Sequence, residues 1–317
     1  MAGYRVEIAP PDIRPYREGN AGIPYALTFD SGRPGPHALI AALMHGNELC
    51  GAWALCTLLQ RGIRPRRGRL SLVFANVAAF ERFDPCNPTA SRYIDEDMNR
   101  VWHPARLEGR ERSCELDRAR ELQPLVDDAD VILDVHSMQL PAPPLLLCGT
   151  TERGRALALA MGYPAFVIAD GGHSNGTRLR DYGAFGERAG ARTAMLVECG
   201  QHWTRASVDV AVATCLHFLR ACDLVAPEVL AAHLPDLPRL PQRVIEVTEA
   251  VTVGAAPFRF VQDFQGLEVI PKAGTVLGYA GQHPVRTPYD DCVLIMPSRR
   301  LTRGLTAVRL GRFVDDR

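Results

Sequence analysis

Short apolar runs that alternate with helical patterns constrain this chain more than any other feature. The runs span 38–43, 70–75, 131–135, 145–148, 166–169 and 193–197. Each is rich in Val, Ile, Leu or Ala and stops at polar residues or Gly, as strands buried on both faces do. Helical spacing fills the intervals at 48–61, 113–126, 153–161 and 207–221. Ser113 stands where an N-cap belongs. Strands alternating with helices predict an α/β fold with a mostly parallel, mixed sheet flanked by helices. The pattern changes after about Leu224. Pro227, Pro235, Pro238 and Pro241 punctuate a stretch that reads as a linker. Beyond it, 243–253, 258–261, 276–279 and 291–296 look like strands separated by glycine turns. The expected organisation is one domain over 1–225, a Pro-rich linker over 226–242 and a smaller C-terminal β domain over 243–317.

Composition narrows the function. The 317 residues are 47% hydrophobic, enough for a sizeable core, and carry 36 basic and 36 acidic residues for a net charge of zero. That balance gives no support to nucleic-acid or membrane-surface binding, and the basic run at 61–69 reads as a solvated loop. The nine cysteines form no Cys-x-x-Cys pair and suggest no disulfide framework. Arg5, Glu7, Asp12 and Arg14 interrupt any leader-like apolar segment near the start, and no apolar run reaches membrane-span length. A cytoplasmic protein acting on a small molecule is the expectation. Whether copies of the chain form a homo-oligomer stays open.

Four polar constellations sit at the ends of these elements. His45-Gly46-Asn47-Glu48 follows the first apolar run, where sites form in parallel α/β sheets. A His and a Glu three apart at a helix start can converge on one ion, although a surface His with a helix-capping Glu fits the same four residues. Asp134-Val135-His136-Ser137 closes another run, with Asp134 on the strand face of His136 and able to orient its imidazole. Two histidines and one carboxylate make a His2Glu set with one position left for water. Glu198 closes the run at 193–197 and either faces solvent or belongs to a site. Arg92 to Arg100 packs two arginines and Asn99 among acids, as a solvated loop or a carboxylate clamp.

In this order the pieces resemble the succinylglutamate desuccinylase/aspartoacylase family, which is related to zinc carboxypeptidases. The resemblance runs through about 45 to 200 and more weakly over the whole chain. It rests on His45-Gly46-Asn47-Glu48, Asn76-Val77-Ala78-Ala79, Arg92 to Arg100, Asp134-Val135-His136 and Glu198-Cys199-Gly200. The arginine run is the most specific piece. Val77 stands where the family has Pro, and Met98 where it has Leu. The resemblance implies a zinc carboxypeptidase-like sheet and one Zn2+ per chain on His45, Glu48 and His136. It implies that Arg92 holds the scissile carbonyl oxygen, that Asn99 and Arg100 hold a substrate carboxylate, and that Glu198 is the general base on zinc-activated water. The function that follows is a zinc-dependent amidohydrolase, a deacylase of an N-acyl amino acid or similar acylated amine. The rivals are a carboxypeptidase-like or ester-cleaving zinc hydrolase, and a non-catalytic binding protein on the same fold.

Other residues are placed less firmly. Arg178, Arg180 and Arg188 precede Glu198, and any of them is a candidate for a further substrate arginine. His173 and His202 read first as satisfied or surface histidines and second as pocket residues. The C-terminal part looks somewhat like a lipoyl/biotinyl-type β sandwich, but Lys272 lacks the Met-Lys hairpin signature of a carrier lysine. In the family this domain lies beside the active site, so it is a candidate source of a tyrosine such as Tyr289.

Overall fold

The computed structural model describes residues 5–172, 175–238 and 240–314. Its first half runs β1 (Ala26–Asp30), β2 (His37–Ala42), α1 (Leu49–Gln60), β3 (Arg69–Phe74), α2 (Val77–Phe80), α3 (Pro104–Leu107), α4 (Cys114–Asp128) and β4 (Val131–Met138). Next come β5 (Leu145–Leu147), α5 (Glu152–Met161), β6 (Phe166–Ala169), β7 (Thr193–Gln201), α6 (Arg205–Ala221) and α7 (Pro227–His233). The C-terminal strands are β8 (Arg243–Thr252), β9 (Phe258–Phe260), β10 (Glu268–Ile270), β11 (Val276–Ala280), β12 (His283–Arg286), β13 (Cys292–Ile295) and β14 (Thr306–Val314).

Every apolar run read as a strand is one. An 11-stranded sheet has the order β1-β3-β2-β4-β7-β5-β6-β8-β14-β13-β10. Strands β3, β2, β4 and β7 pair in parallel, β5 returns antiparallel to β7, and β6 and β8 continue in parallel beyond it. The sheet is thus mixed, with its parallel part at the centre. Alternate residues of β2 explain the unbroken apolar runs. Ala38, Ile40 and Ala42 face a core shared with α1 and α6, while Leu39 and Ala41 face one shared with α4. Helix α1 carries eight buried residues, including Leu49, Leu55 and Leu58, so it needs no polar face. Helix α4 starts as predicted, with the Ser113 hydroxyl accepting the Leu116 N–H at 3.0 Å.

The C-terminal strands divide. Strand β8 pairs with β6, so β8, β14, β13 and β10 extend the large sheet, while β9, β11 and β12 form a separate antiparallel one. The proline-punctuated stretch holds α7, with Pro227 at its first turn, where a missing N–H costs nothing.

Candidate active site

The histidine loop is built by close approach. A Cβ on Gly46 would lie 2.4 Å from the backbone of Ala79 and Phe80 and 2.6 Å from the Ser91 carbonyl. Only glycine lets the loop lie against both segments, and the Gly46 N–H donates to the Arg92 carbonyl at 3.1 Å. Asn76 sits beneath it, its side chain accepting the Ala79 N–H to cap α2. The Asn-x-x-Ala motif thus holds the wall against which the His45 loop packs.

His45, Glu48 and His136 offer ligand atoms that all lie within 4.8 Å of one another, and all three residues are buried. Glu48, at the N-cap of α1, stands between the rings. Its Oε1 lies 2.8 Å from His45 Nδ1 and its Oε2 lies 3.0 Å from His136 Nδ1. The Ser137 N–H also donates to Oε2 at 3.0 Å. Each imidazole presents its outer nitrogen to a further carboxylate. His45 Nε2 is 2.8 Å from Asp97 Oδ1, and His136 Nε2 is 2.8 Å from Asp134 Oδ2. Arg92 Nη2 also lies 2.8 Å from His45 Nε2. A carboxylate behind Nε2 with Nδ1 turned inward is how metal-ligating histidines are oriented. Burial opposes charge on Glu48, but the two imidazoles outweigh it and hold the carboxyl well below the usual range. Burial likewise opposes charge on His136, and Asp134 and Glu48 outweigh it, so its pKa is raised well above that of free imidazole.

Glu198 is opposite His136 in the β4–β7 register, so both side chains leave the same face of the sheet. The pairing shifts just after this point, and Gly200 takes a φ of +100°, a region that L side chains rarely adopt. That explains the Glu-x-Gly spacing: the strand must turn aside once Glu198 is delivered. Glu198 is buried and its Oε2 has no hydrogen-bond partner among the described residues. Burial, and then the neighbouring Glu48 charge, push its pKa well above the usual carboxylate range. A carboxylate kept at that cost beside two histidines and a second carboxylate is the arrangement expected around a cation and a reacting water.

These residues line a cavity of about 490 Å³. Arg92 reaches into it, donating from Nη1 to Glu48 Oε1 at 3.2 Å and from Nη2 to Asp97 Oδ2 at 3.1 Å. Asn99 spends part of its amide on the protein: Nδ2 donates to Asp134 Oδ2 at 3.3 Å and Oδ1 accepts the Leu179 N–H at 2.9 Å. The same Nδ2 also lies 3.1 Å from His136 Nε2. Arg100 also lines the cavity, its Nη1 donating to the Asn99 carbonyl at 2.6 Å. Burial lowers its pKa, and Arg92, Arg178 and Arg309 push the same way against the pull of Asp97.

The less firmly placed residues divide. Arg178 is buried in the wall, donating to Asp181 and Asp170 at 2.5 and 3.1 Å, with its Nη2 unpartnered among the described residues. Arg180 is buried beside Asp181 and does not line the cavity, and Arg188 is exposed. His202 does line it, 2.8 Å from the Ser137 hydroxyl, and burial pushes its pKa down to about 3. His173 lies outside the described residues. Tyr289 is outside the cavity lining and pairs with the Thr248 hydroxyl at 2.6 Å. The C-terminal contribution comes from Asp263–Gly266, Met296–Arg300, Gly304–Thr306 and Arg309. Sequence reasoning missed Asp97, Asp170 and Arg309; of these only Asp97, inside the arginine run, carried a sequence signal.

The sequence profile of the succinylglutamate desuccinylase/aspartoacylase catalytic domain matches residues 34–188, a span that holds His45, Glu48, Arg92, Asn99, Arg100 and His136. Residues 34–188 form a catalytic domain of the succinylglutamate desuccinylase/aspartoacylase family. That family is one of acyl-amide hydrolases. Glu198 lies beyond the matched span. Solved structures share the fold over most of both chains. The succinylglutamate desuccinylase of Vibrio parahaemolyticus superposes with a TM-score of 0.65 at 16% identity, covering 93% of this chain and 87% of that one. A succinylglutamate desuccinylase/aspartoacylase from Rhodobacter sphaeroides gives 0.60 at 17%, covering 90% and 87%. The product-bound ectoine utilization protein EutE of Ruegeria pomeroyi gives 0.58 at 18%, covering 88% and 85%. At these identities the likeness is one of fold. No curated protein sequence matches the chain. Among the described residues, no helix is long and apolar enough to cross a membrane.

Proposed function

We propose that this chain is a zinc-dependent amidohydrolase that cleaves the amide bond of an N-acyl amino acid or similar small acylated amine. The observation that carries the reading is the buried His45–Glu48–His136 cluster with a partnerless Glu198 oxygen in register beside it. The donor set suits zinc: two imidazoles backed by outer carboxylates, which ligate in their neutral form, one carboxylate, and room on the cavity side for a fourth ligand. A zinc ion there supplies a Lewis acid that acidifies water and polarises a carbonyl. Glu198 takes the proton of the attacking water and returns it to the leaving nitrogen. Arg92 faces the cavity beside Glu48 and stabilises the carbonyl oxygen as negative charge develops. Arg100, with Asn99 alongside, holds the substrate carboxylate, which relieves the repulsion among Arg100, Arg178 and Arg309. We read 1–225 as the catalytic domain, 226–242 as the connection and 243–317 as a second domain that completes the wall.

Hydrolysis of a panel of N-acyl amino acids by the zinc-loaded protein tests the reading. Full metal occupancy with no cleavage of any member would sink it.

The two arginines are expected to give different kinetic signatures. Arg100→Lys keeps a charge but loses the planar fork, so a charge-assisted hydrogen bond of about 1.5–3 kcal/mol goes and KM rises roughly tenfold or more. Arg92→Lys weakens an interaction that matters most in the transition state, so kcat falls with little change in KM. Steady-state kinetics on a carboxylate substrate and its methyl ester check both. Equal cleavage of acid and ester, with Arg100→Lys unchanged, rules out a carboxylate clamp.

A further inference from the structure

The segment bearing Arg92, Asp97, Asn99 and Arg100 contains only single turns of 3-10 helix, at Ala90–Arg92 and Met98–Arg100. Something else must fix it, because an irregular segment does not hold two arginines and a histidine partner in place by itself. The structure shows what does. Glu115, in the first turn of α4, is fully buried, with 0% exposure. Its Oε1 accepts the Ile94 N–H at 2.6 Å, and its Oε2 accepts the Asp95 and Glu96 N–H groups at 3.0 and 3.2 Å. The Asn76 amide donates to Oε1 at 3.0 Å. One carboxylate thus gathers three consecutive backbone donors from the middle of the segment and ties them to the residue that caps α2.

The anchoring runs both ways. The Asp95 carboxylate accepts the Cys114 N–H at 2.7 Å, at the start of the same helix. The Ser113 hydroxyl donates to Glu96 at 2.6 Å, and Arg106 donates to both oxygens of Glu96 at 2.7 and 3.0 Å. These partners are more exposed than Glu115 and individually contribute less. A buried carboxylate is costly unless its lone pairs are filled, and here the segment's own backbone fills them. Arg92 lies two residues before this anchor and Asp97 one residue after it. Glu115 touches neither, yet the place of Arg92 and its pair with Asp97 depend on where the anchor holds the chain.

We propose that Glu115 is a positioning residue for the reaction, acting through Arg92. The inference rests on the amidohydrolase reading above. Replacing Glu115 by Gln keeps the volume but turns one acceptor into a donor facing backbone N–H groups, so the segment must shift. A shift of about an ångström at the carbonyl-facing Arg92 costs on the order of a hundredfold in rate. The metal site is expected to survive, since His45, Glu48 and His136 hang from other elements.

The test is a double-mutant cycle with amide hydrogen exchange beside it. Glu115→Gln should lower kcat by roughly 10- to 100-fold with KM changed far less, and metal content should stay at wild-type level. In an Arg92→Ala background the same substitution should cost under about threefold more, because its effect passes through Arg92. Glu115→Asp, which keeps the charge, should recover part of the loss. The amides of Ile94, Asp95 and Glu96 should exchange slowly in the wild type and fast in Glu115→Gln, while the later turns of α4 stay protected. Additive losses in the cycle, or unchanged exchange at 94–96, would overturn the inference. The exchange measurement needs no substrate. If it changes as expected and the wild type hydrolyses no N-acyl amino acid, the amidohydrolase reading has failed and the anchor stands as structure only.

Discussion

Glu198→Gln should bind metal as the wild type does and hydrolyse an N-acyl amino acid about 10²–10⁴-fold more slowly, the usual range for a positioned acid–base group. The barrier then rises by about 2.7–5.4 kcal/mol, at about 1.36 kcal/mol per tenfold. Glutamine fills the same volume in β7 and keeps one oxygen, so register with His136 should persist. What is lost is the ability to accept a proton. The competing view makes Glu198 a mere charge at a strand end, and stability separates the two. A buried carboxylate with an empty oxygen costs free energy, and the neighbouring Glu48 charge adds to that cost. Because the fold raises its pKa, the native state binds a proton that the unfolded chain has released, and stability falls as pH rises above the unfolded value. Removing the charge should therefore leave the melting temperature of the metal-free protein at or above the wild-type value. Calorimetry and a kinetic assay on the same preparation read both. Activity retained within a few-fold would show that another group takes the proton.

The central sheet was legible because burial on both faces of a parallel sheet writes unbroken apolar runs, as β2 shows with its neighbouring residues split between two cores. Strand β14 was not legible. Arg309, Gly311 and Arg312 interrupt its pattern, and the buried Arg309 is met by Asp170 at 3.3 Å. Strand β10 is only three residues long and β12 is largely exposed, so no apolar alternation marks them. Helix α7 begins at the proline that reads as a linker signal, since Pro suits a first helical turn as well as a loop.

The site divides on the same physical line. His45, Glu48, His136 and Glu198 stand where strands end, and strand ends are visible in the sequence. Their supports are not. Asp170 and Glu115 gain their meaning from partners on other elements, and nothing local to either residue announces it. Asn99 was expected to serve the substrate, yet much of its amide serves Asp134 and Leu179. A motif shows which residue types are needed without showing which face of each side chain is spent on the protein.

Three substitutions around the proposed metal site should rank in a fixed order. His136→Ala removes one of three protein ligands and leaves Glu48 without one of the two imidazoles that hold its charge, so metal content after dialysis should fall from near one per chain to near zero. Asp134→Asn keeps the shape but weakens the outer hold on His136 Nε2. A lost partner of that kind typically costs 10–100-fold in metal affinity, so the variant should still load zinc and surrender it to a chelator that the wild type resists. His202→Asn should change neither, although His202 is a buried histidine in the same cavity wall. Its Nδ1 is taken by Ser137, and it is not part of the cluster of converging ligand atoms. Elemental analysis with chelator competition measures all three. The order follows from which imidazole nitrogen faces Glu48 and which faces a carboxylate behind it. If His202→Asn released the metal and His136→Ala kept it, the ion would sit on the other side of Ser137, Glu198 would no longer stand beside it in register, and the proposed proton transfer would lose its geometry.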